Sequence, residues 1–429
     1  MSHASGSETV FTYGAPGLKF GAGASDEIGF DLSQYDVSRV LVLTDPGVAA
    51  TGHPQRVAEQ MAQFGIEARV FDAVRVEPTD ESFEAAIAFA RETGPWDAYV
   101  AVGGGSTIDT AKAVNLMTTN DGELMDYINA PVGKARAPQR ALKPLVAVPT
   151  TTGTGAESTT ICVLDVLALK VKTGISHARL RPTLAVVDPA LTMSQPAGVT
   201  AAAGMDILCH ALESYTARTF TSYDRKAPEQ RVPYCGSNPI SDVWSENAMT
   251  LLATSFRRAV QHGDDPAARE QMALAATMAG LGFGNAGVHI PHANAYPIAG
   301  QVHDRCPDFR PVGYPGEEAM VPHGMAVALT APEAFRWTFE SSPERHLRAA
   351  ALLAPGHGYD GPDALPRVLA DLMRDIAIPN GLGEVGYAEG DVDDLVEGAM
   401  KQQRLLATAP REVTAEDAAG ILERSLELW

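Results

Sequence analysis

The 429 residues, 45% hydrophobic and 20% charged, suit a globular chain of two or three domains. Acidic residues outnumber basic ones 53 to 33, a formal charge of −20, which argues against a nucleic-acid or anionic membrane partner. No apolar run approaches the roughly 20 residues of a membrane span.

Residues 1–10 carry neither an apolar core nor an Arg-rich amphipathic pattern, so no export or organelle signal is expected there. Cys162, Cys209, Cys235 and Cys306 are far apart and form no C-x-x-C pair. The expected setting is a reducing cytoplasm with free thiols.

In chain order, residues 11–22 read as short strands or a hairpin. Residues 39–44 form an apolar run of strand length that ends at Asp45-Pro46-Gly47. Val57, Met61 and Phe64 follow at helical spacing, and 68–71 is another short strand. Thr79 opens a helix with Phe83, Ile87 and Ala90 on one face. Residues 98–102 are a strand running into Gly103-Gly104-Gly105-Ser106, and 145–148 is a strand leading into the hydroxyl- and glycine-rich loop 149–155. Strand–helix–strand order with short connections predicts a parallel sheet covered by helices.

Glycines let a ligand approach the backbone, and free amides at a helix start favour an anion such as pyrophosphate. Three loops at the carboxyl ends of strands, those at Asp45, Gly103 and Thr150, favour a dinucleotide over plain turns. The last strand of this half, 183–187, ends at Asp188, which reads as a turn former. The domain boundary is expected near residues 194–196, giving domains 1–195 and 196–429.

Beyond that point helical periodicity takes over. The stretch 198–215 reads as a buried helix carrying Asp206 and His210 four positions apart, hence on one face. A helical Asp–His hydrogen bond would explain the pair, and so would a divalent metal. His289, His292 and Tyr296 cluster in 280–300, and His323 sits at the start of a helix running Met325 to Leu329. An Asp/His₃ set without thiolate suits Fe²⁺ and leaves Zn²⁺ open. His3, His53, His262, His346 and His357 lie in polar or terminal surroundings and are expected to be solvent-exposed. Further helices are expected around 365–372, 392–399 and from Thr414 onward.

GGGSTIDTAK (103–112), PTTTGTGAE (149–157), the Asp206/His210 helix, His292 with Pro297, and PHG at 322–324 resemble the iron-containing (group III) alcohol dehydrogenases. The likeness covers nearly the whole chain in the same order. It implies a dehydroquinate synthase-like fold: an N-terminal dinucleotide-binding α/β domain and an all-α metal-binding domain, with the site in the cleft between them. It implies metal ligands Asp206, His210, His292 and His323. It also implies NAD contacts from Asp45, Gly103, Gly104, Gly105, Ser106, Asp109, Thr150, Thr151, Thr154 and Lys172.

Many members have a histidine four residues beyond the third ligand; here Tyr296 stands there and becomes the candidate for proton transfer. With YCGSNPISDVW (234–244) and GFGNAGVH (282–289), this resembles the hydroxyacid–oxoacid transhydrogenase branch. Its members oxidise 4-hydroxybutyrate and reduce 2-oxoglutarate. Two carboxylate substrates call for cations in an acidic chain, with Arg225, Lys226, Arg231, Arg305 and Arg310 as candidates. An ordinary NAD-dependent alcohol or hydroxy-acid dehydrogenase, a maleylacetate-type reductase and a dehydroquinate synthase-like lyase are the competing readings. A homo-oligomer is left open.

Overall fold

The structure is a computed structural model that describes residues 6–169, 171–314 and 318–429. His3 lies outside the described residues. The chain forms two compact units, one spanning Ala15–Met193 and one combining the start of the chain up to Gly14 with Ser194–Trp429.

Among the described residues the first unit has eight strands: β1 Gly17–Phe20, β2 Arg39–Leu43, β3 Glu67–Phe71, β4 Ala98–Gly103, β5 Leu145–Pro149, β6 Ile161–Val166, β7 Val171–Ser176 and β8 Leu184–Val187. Six of them make a parallel sheet in the order β1-β8-β5-β4-β2-β3. β4 and β5 are buried at every residue because helices cover both faces, which is why they read as unbroken apolar runs. The helix Asp80–Thr93 starts at a reciprocal cap in which Thr79 and Ser82 each bond the other's backbone N–H. Asp188 does more than make a turn: its carboxylate accepts from the amides of Gly23, Ser25 and Ala190 and from Ser25 Oγ at 2.6 Å, fastening the end of β8.

Three expectations for this unit are corrected. Residues 11–22 form no hairpin; β1 instead pairs in parallel with β8. Phe64 lies beyond the helix His53–Ala62 and is exposed, its ring edge-on to Phe30 at 6.3 Å. Residues 161–176, given no strand from sequence, are an antiparallel hairpin of β6 and β7. β7, VKTGIS, mixes polar and apolar residues and is only partly covered, whereas β6, ICVLDV, is apolar except for Asp165.

The second unit is helical, and residues 6–14 pack with it rather than with the sheet. Glu8 N donates to Tyr223 O at 2.8 Å, and the Asn285 side chain bonds both the amide and the carbonyl of Gly14. At its centre runs the helix Ala197–Thr216, largely apolar and buried on nearly every side, so that Asp206, His210 and Glu213 are buried with it. It packs against the helices Pro239–Gln261, Pro266–Ala286 and His323–Ala328. Close approach depends on small residues: a Cβ on Gly204 would stand 2.1 Å from the Phe256 ring. Cys209 lies in this core, as expected for filler. His346, expected at the surface, is buried between Thr338 and Ser342, its Nε2 2.9 Å from Thr338 Oγ1. Its neighbours supply hydrogen-bond partners, so a polar-looking context did not mean exposure.

Candidate functional site

In the helical unit, three segments bring one carboxylate and three imidazoles together. The central helix presents Asp206 and His210 from successive turns. The helix Pro266–Ala286 stops at Gly287, whose φ of 97° lies in the left-handed region, and the chain re-enters a helix at Ile290 that carries His292. The third segment starts at His323, and Gly324 lets it approach the central helix: a Cβ there would sit 2.1 Å from Ala202 O and 2.8 Å from Asp206 Cβ.

All three Nε2 atoms converge on Asp206 Oδ1, at 3.5 Å from His210, 3.4 Å from His292 and 3.9 Å from His323. Two donors sharing one ion through bonds of about 2.1 Å at tetrahedral angles stand about 3.4 Å apart, so this spacing fits a common cation. Asp206 Oδ1 and His292 Nε2 are buried and have no hydrogen-bond partner among the described residues, as expected of atoms whose partner is a metal. Ligand atoms of Asp206, His292 and His323 all lie within 4.8 Å of one another. His210 stands outside that set of three; its ring stacks on Phe283 at 3.8 Å and on His292 at 4.6 Å.

The electrostatics of these four side chains reflect the crowding. Burial alone would raise the Asp206 carboxyl, but the imidazoles of His210, His323 and His292 outweigh it and hold it far below the usual carboxylate range. Burial, with further repulsion from His292 and His323, takes His210 down to about 3. His292 goes the other way, to about 9: burial opposes its charge, but Glu213 and Asp206 together prevail.

Glu213 was not singled out from sequence. It is fully buried one turn beyond His210, with Oε1 2.6 Å from His292 Nδ1 and Oε2 accepting from the His289 amide. The signal was available, since an acid three residues past His210 in a buried helix needs a cationic or donating partner. Tyr296 lies one turn after His292, its ring edge-on to His323 at 6.2 Å. His289 instead faces Thr216, Nε2 to Oγ1 at 3.1 Å.

In the α/β unit, the chain reverses direction across the sheet between β2 and β4, whose carboxyl ends carry Asp45 and the triple glycine. Ligands of open parallel sheets bind at such a switch point. Asp45 caps the following short helix through Val48 N, while its other oxygen reaches Thr107 Oγ1 at 3.4 Å. Cβ atoms on Gly103, Gly104 and Gly105 would stand 2.3 Å from Thr107 Oγ1, 3.1 Å from Thr151 Oγ1 and 2.7 Å from Thr154 Cγ2. The glycine turn and the 150–154 loop therefore meet, and Thr150 Oγ1 is buried with no partner among the described residues. Ser106 Oγ accepts from Glu77 N at 3.2 Å.

Asp109 and Lys172 are held by protein groups. Asp109 Oδ2 accepts from Val163 N at 2.9 Å and Oδ1 pairs with buried Lys112 at 3.4 Å; burial raises this carboxyl despite Lys112. Lys172 bridges Glu77 and Asp165.

The candidate carboxylate-binding cations are likewise engaged. Arg225 donates to Thr9 Oγ1, Arg231 pairs with Glu8 at 3.2 Å, Arg305 pairs with Asp391 and Asp394, and Arg310 donates to the carbonyls of Pro307 and Phe309. Lys226 lies over the Tyr223 ring. Arg231 and Arg305 thus present no uncompensated charge.

The family description "Iron-containing alcohol dehydrogenase" matches residues 16–189, and its C-terminal counterpart matches 200–305 and 314–426. The chain belongs to this family. It is an enzyme of the metal-dependent, NAD-using oxidoreductase kind, with an iron-type metal implied, which sets the lyase alternative aside. It is 44% identical over 420 residues to the hydroxyacid-oxoacid transhydrogenase, mitochondrial, of Bos taurus, covering 96% of this chain and 89% of that protein. Among solved structures it resembles a 1,3-propanediol oxidoreductase (TM-score 0.83, 29% identity, 97% of this chain and 100% of that one). It also resembles the sulfoacetaldehyde reductase of Bifidobacterium kashiwanohense, solved with NAD+ (TM-score 0.80, 25% identity, 97% and 99%).

The cytoplasmic location expected from the sequence is overturned by these relatives, whose bovine, mouse and human members are named mitochondrial. Free thiols report redox conditions, not the compartment.

Replacing Gly105 by Val tests the glycine turn. The added side chain must displace Thr154, and the expected result is at least a tenfold rise in the Kd for NAD, about 1.4 kcal/mol, read by calorimetric titration.

Proposed function

We propose that this chain is a hydroxyacid–oxoacid transhydrogenase, passing hydride through NAD from a 4-hydroxybutyrate-like hydroxy acid to a 2-oxoglutarate-like oxo acid. The observation that carries the reading is 42–44% identity over nearly the full chain to proteins of that name from several vertebrates. We assign Asp206, His210, His292 and His323 as the residues that hold the divalent metal, Fe²⁺ in preference to Zn²⁺ on the oxygen–imidazole donor set. When bound, that cation supplies Lewis acidity toward the alcohol or carbonyl oxygen, and NAD supplies the hydride acceptor.

The chain's own residues orient and screen. His323, with its side chain 30% exposed, leaves the ligand cluster open on one side, while Asp206 and His292 are closed off. Tyr296, beside His323, is assigned to proton exchange with the substrate oxygen. The glycine turn and the Thr150–Thr154 loop cradle the pyrophosphate at the start of the helix Gly105–Thr119, with Asp45 on the ribose side. Asp109 and Lys172, held in ion pairs, act by shaping that loop cluster. The functional division is kept near residues 194–196, with the start of the chain up to Gly14 counted with the helical unit.

The test is a turnover assay with 4-hydroxybutyrate on enzyme as purified, with and without 2-oxoglutarate and free NAD. Turnover requiring both acids and no added NAD is the expected result. Activity strictly proportional to free NAD favours the ordinary dehydrogenase and ends the transhydrogenase reading.

A further inference from the structure

Glu213 is the buried acid that the reaction described above leaves without a role, and its two oxygens do different things. One accepts from the backbone amide of His289, the residue that follows the Gly287 turn; the other lies 2.6 Å from His292 Nδ1. Both contacts are shielded from water: Glu213 and His289 are 0% exposed and His292 is 4% exposed. An imidazole that donates its Nδ1 hydrogen to a carboxylate keeps its Nε2 lone pair free, and here Nε2 lies 3.4 Å from Asp206 Oδ1 with no hydrogen-bond partner among the described residues.

We propose that Glu213 is the positioning residue of this centre, fixing both the tautomer of His292 and the backbone turn that delivers it. The inference rests on the metal reading given above.

The argument turns on counting acceptors. The site offers two donors, His289 N–H and His292 Nδ1–H, and a carboxylate satisfies both. A glutamine of the same shape has one acceptor and one NH₂ group. In Glu213→Gln, either NH₂ faces the His289 amide, donor against donor, or it faces His292 Nδ1. The latter forces the ring hydrogen onto Nε2 and removes the lone pair the metal needs. Glu213→Asp keeps two acceptors but is one methylene short, so it recovers one contact at a time.

The experiment measures Zn²⁺ and Co²⁺ affinity by chelator competition on the full-length wild type, Glu213→Gln and Glu213→Asp, alongside thermal melts of the metal-free forms. The expected result is a 10- to 100-fold weaker metal in Glu213→Gln and partial recovery in Glu213→Asp. Equal affinity in folded Glu213→Gln overturns the proposal and leaves the metal reading intact; failure of the wild type to bind either metal overturns both. Should Glu213→Gln not fold, the wild type decides. In Zn²⁺-loaded protein with ¹⁵N-labelled histidine, His292 is expected to show a protonated Nδ1 and a metal-shifted Nε2. The reverse pattern overturns the inference.

Discussion

His292→Ala is expected to abolish metal binding and to lower kcat/KM by about three orders of magnitude, on the order of 4 kcal/mol of transition-state stabilisation. The residue offers one of three candidate ligand atoms lying within 4.8 Å of one another, and its Nε2 has no hydrogen-bond partner among the described residues. Its loss also strands Glu213 Oε1 in a closed interior, where an unsatisfied charged acceptor costs at least about 1–3 kcal/mol. The metal-free variant therefore melts lower than the metal-free wild type. His323→Ala is the sharper companion. Its side chain is 30% exposed, so that variant loses metal and activity while its metal-free form melts close to wild type. Metal content by elemental analysis, melting temperature and kcat/KM separate the two; full metal occupancy in either variant refutes the ligand set.

Gly324→Ala carries the second large effect, although the added methyl touches no ligand nitrogen. Its Cβ would fall 2.1 Å from Ala202 O and 2.8 Å from Asp206 Cβ. The first obstacle is backbone and cannot rotate away, so the segment that begins at His323 must move off the central helix. Overpacking of this kind costs about 1–3 kcal/mol. The same displacement separates His323 Nε2 from Asp206 Oδ1, now 3.9 Å apart, so metal affinity falls together with melting temperature. Gly300→Ala is the control: nothing lies within 4 Å of the added Cβ, and stability stays level or rises slightly. An unchanged melting temperature in Gly324→Ala, with full metal content, would remove close helix approach as the reason for glycine in this PHG.

The two halves of the molecule differ in how openly their sequences speak. Buried parallel strands announce themselves as apolar runs because both faces are covered, so β2, β4, β5 and β8 were legible residue by residue. The β6–β7 hairpin was not: β7 is partly covered and carries mixed residues that resemble a loop, and without it the apolar run of β6 had no evident strand partner. The packing of the N-terminal segment on the helical unit was not legible for a related reason. Its attachment rests on Glu8 and Asn285, contacts between residues hundreds of positions apart that no local pattern encodes.

By itself the sequence determined the chemistry available here: a carboxylate and three imidazoles on helices, a glycine turn after a strand, and a family likeness strong enough to name the metal class. Local spacing sufficed for these, because periodicities of 3.6 and 2 decide which side chains share a face. Only the tertiary structure decided that three Nε2 atoms meet at a single oxygen of Asp206, and that a Cβ at residue 324 would block it. Only the fold, too, tied Arg225, Arg231 and Arg305 to partners distant in sequence, and set Glu213 behind His292. Those facts depend on how separate helices approach, and helix approach is set by side-chain volumes summed over a whole interface rather than by any one stretch of chain.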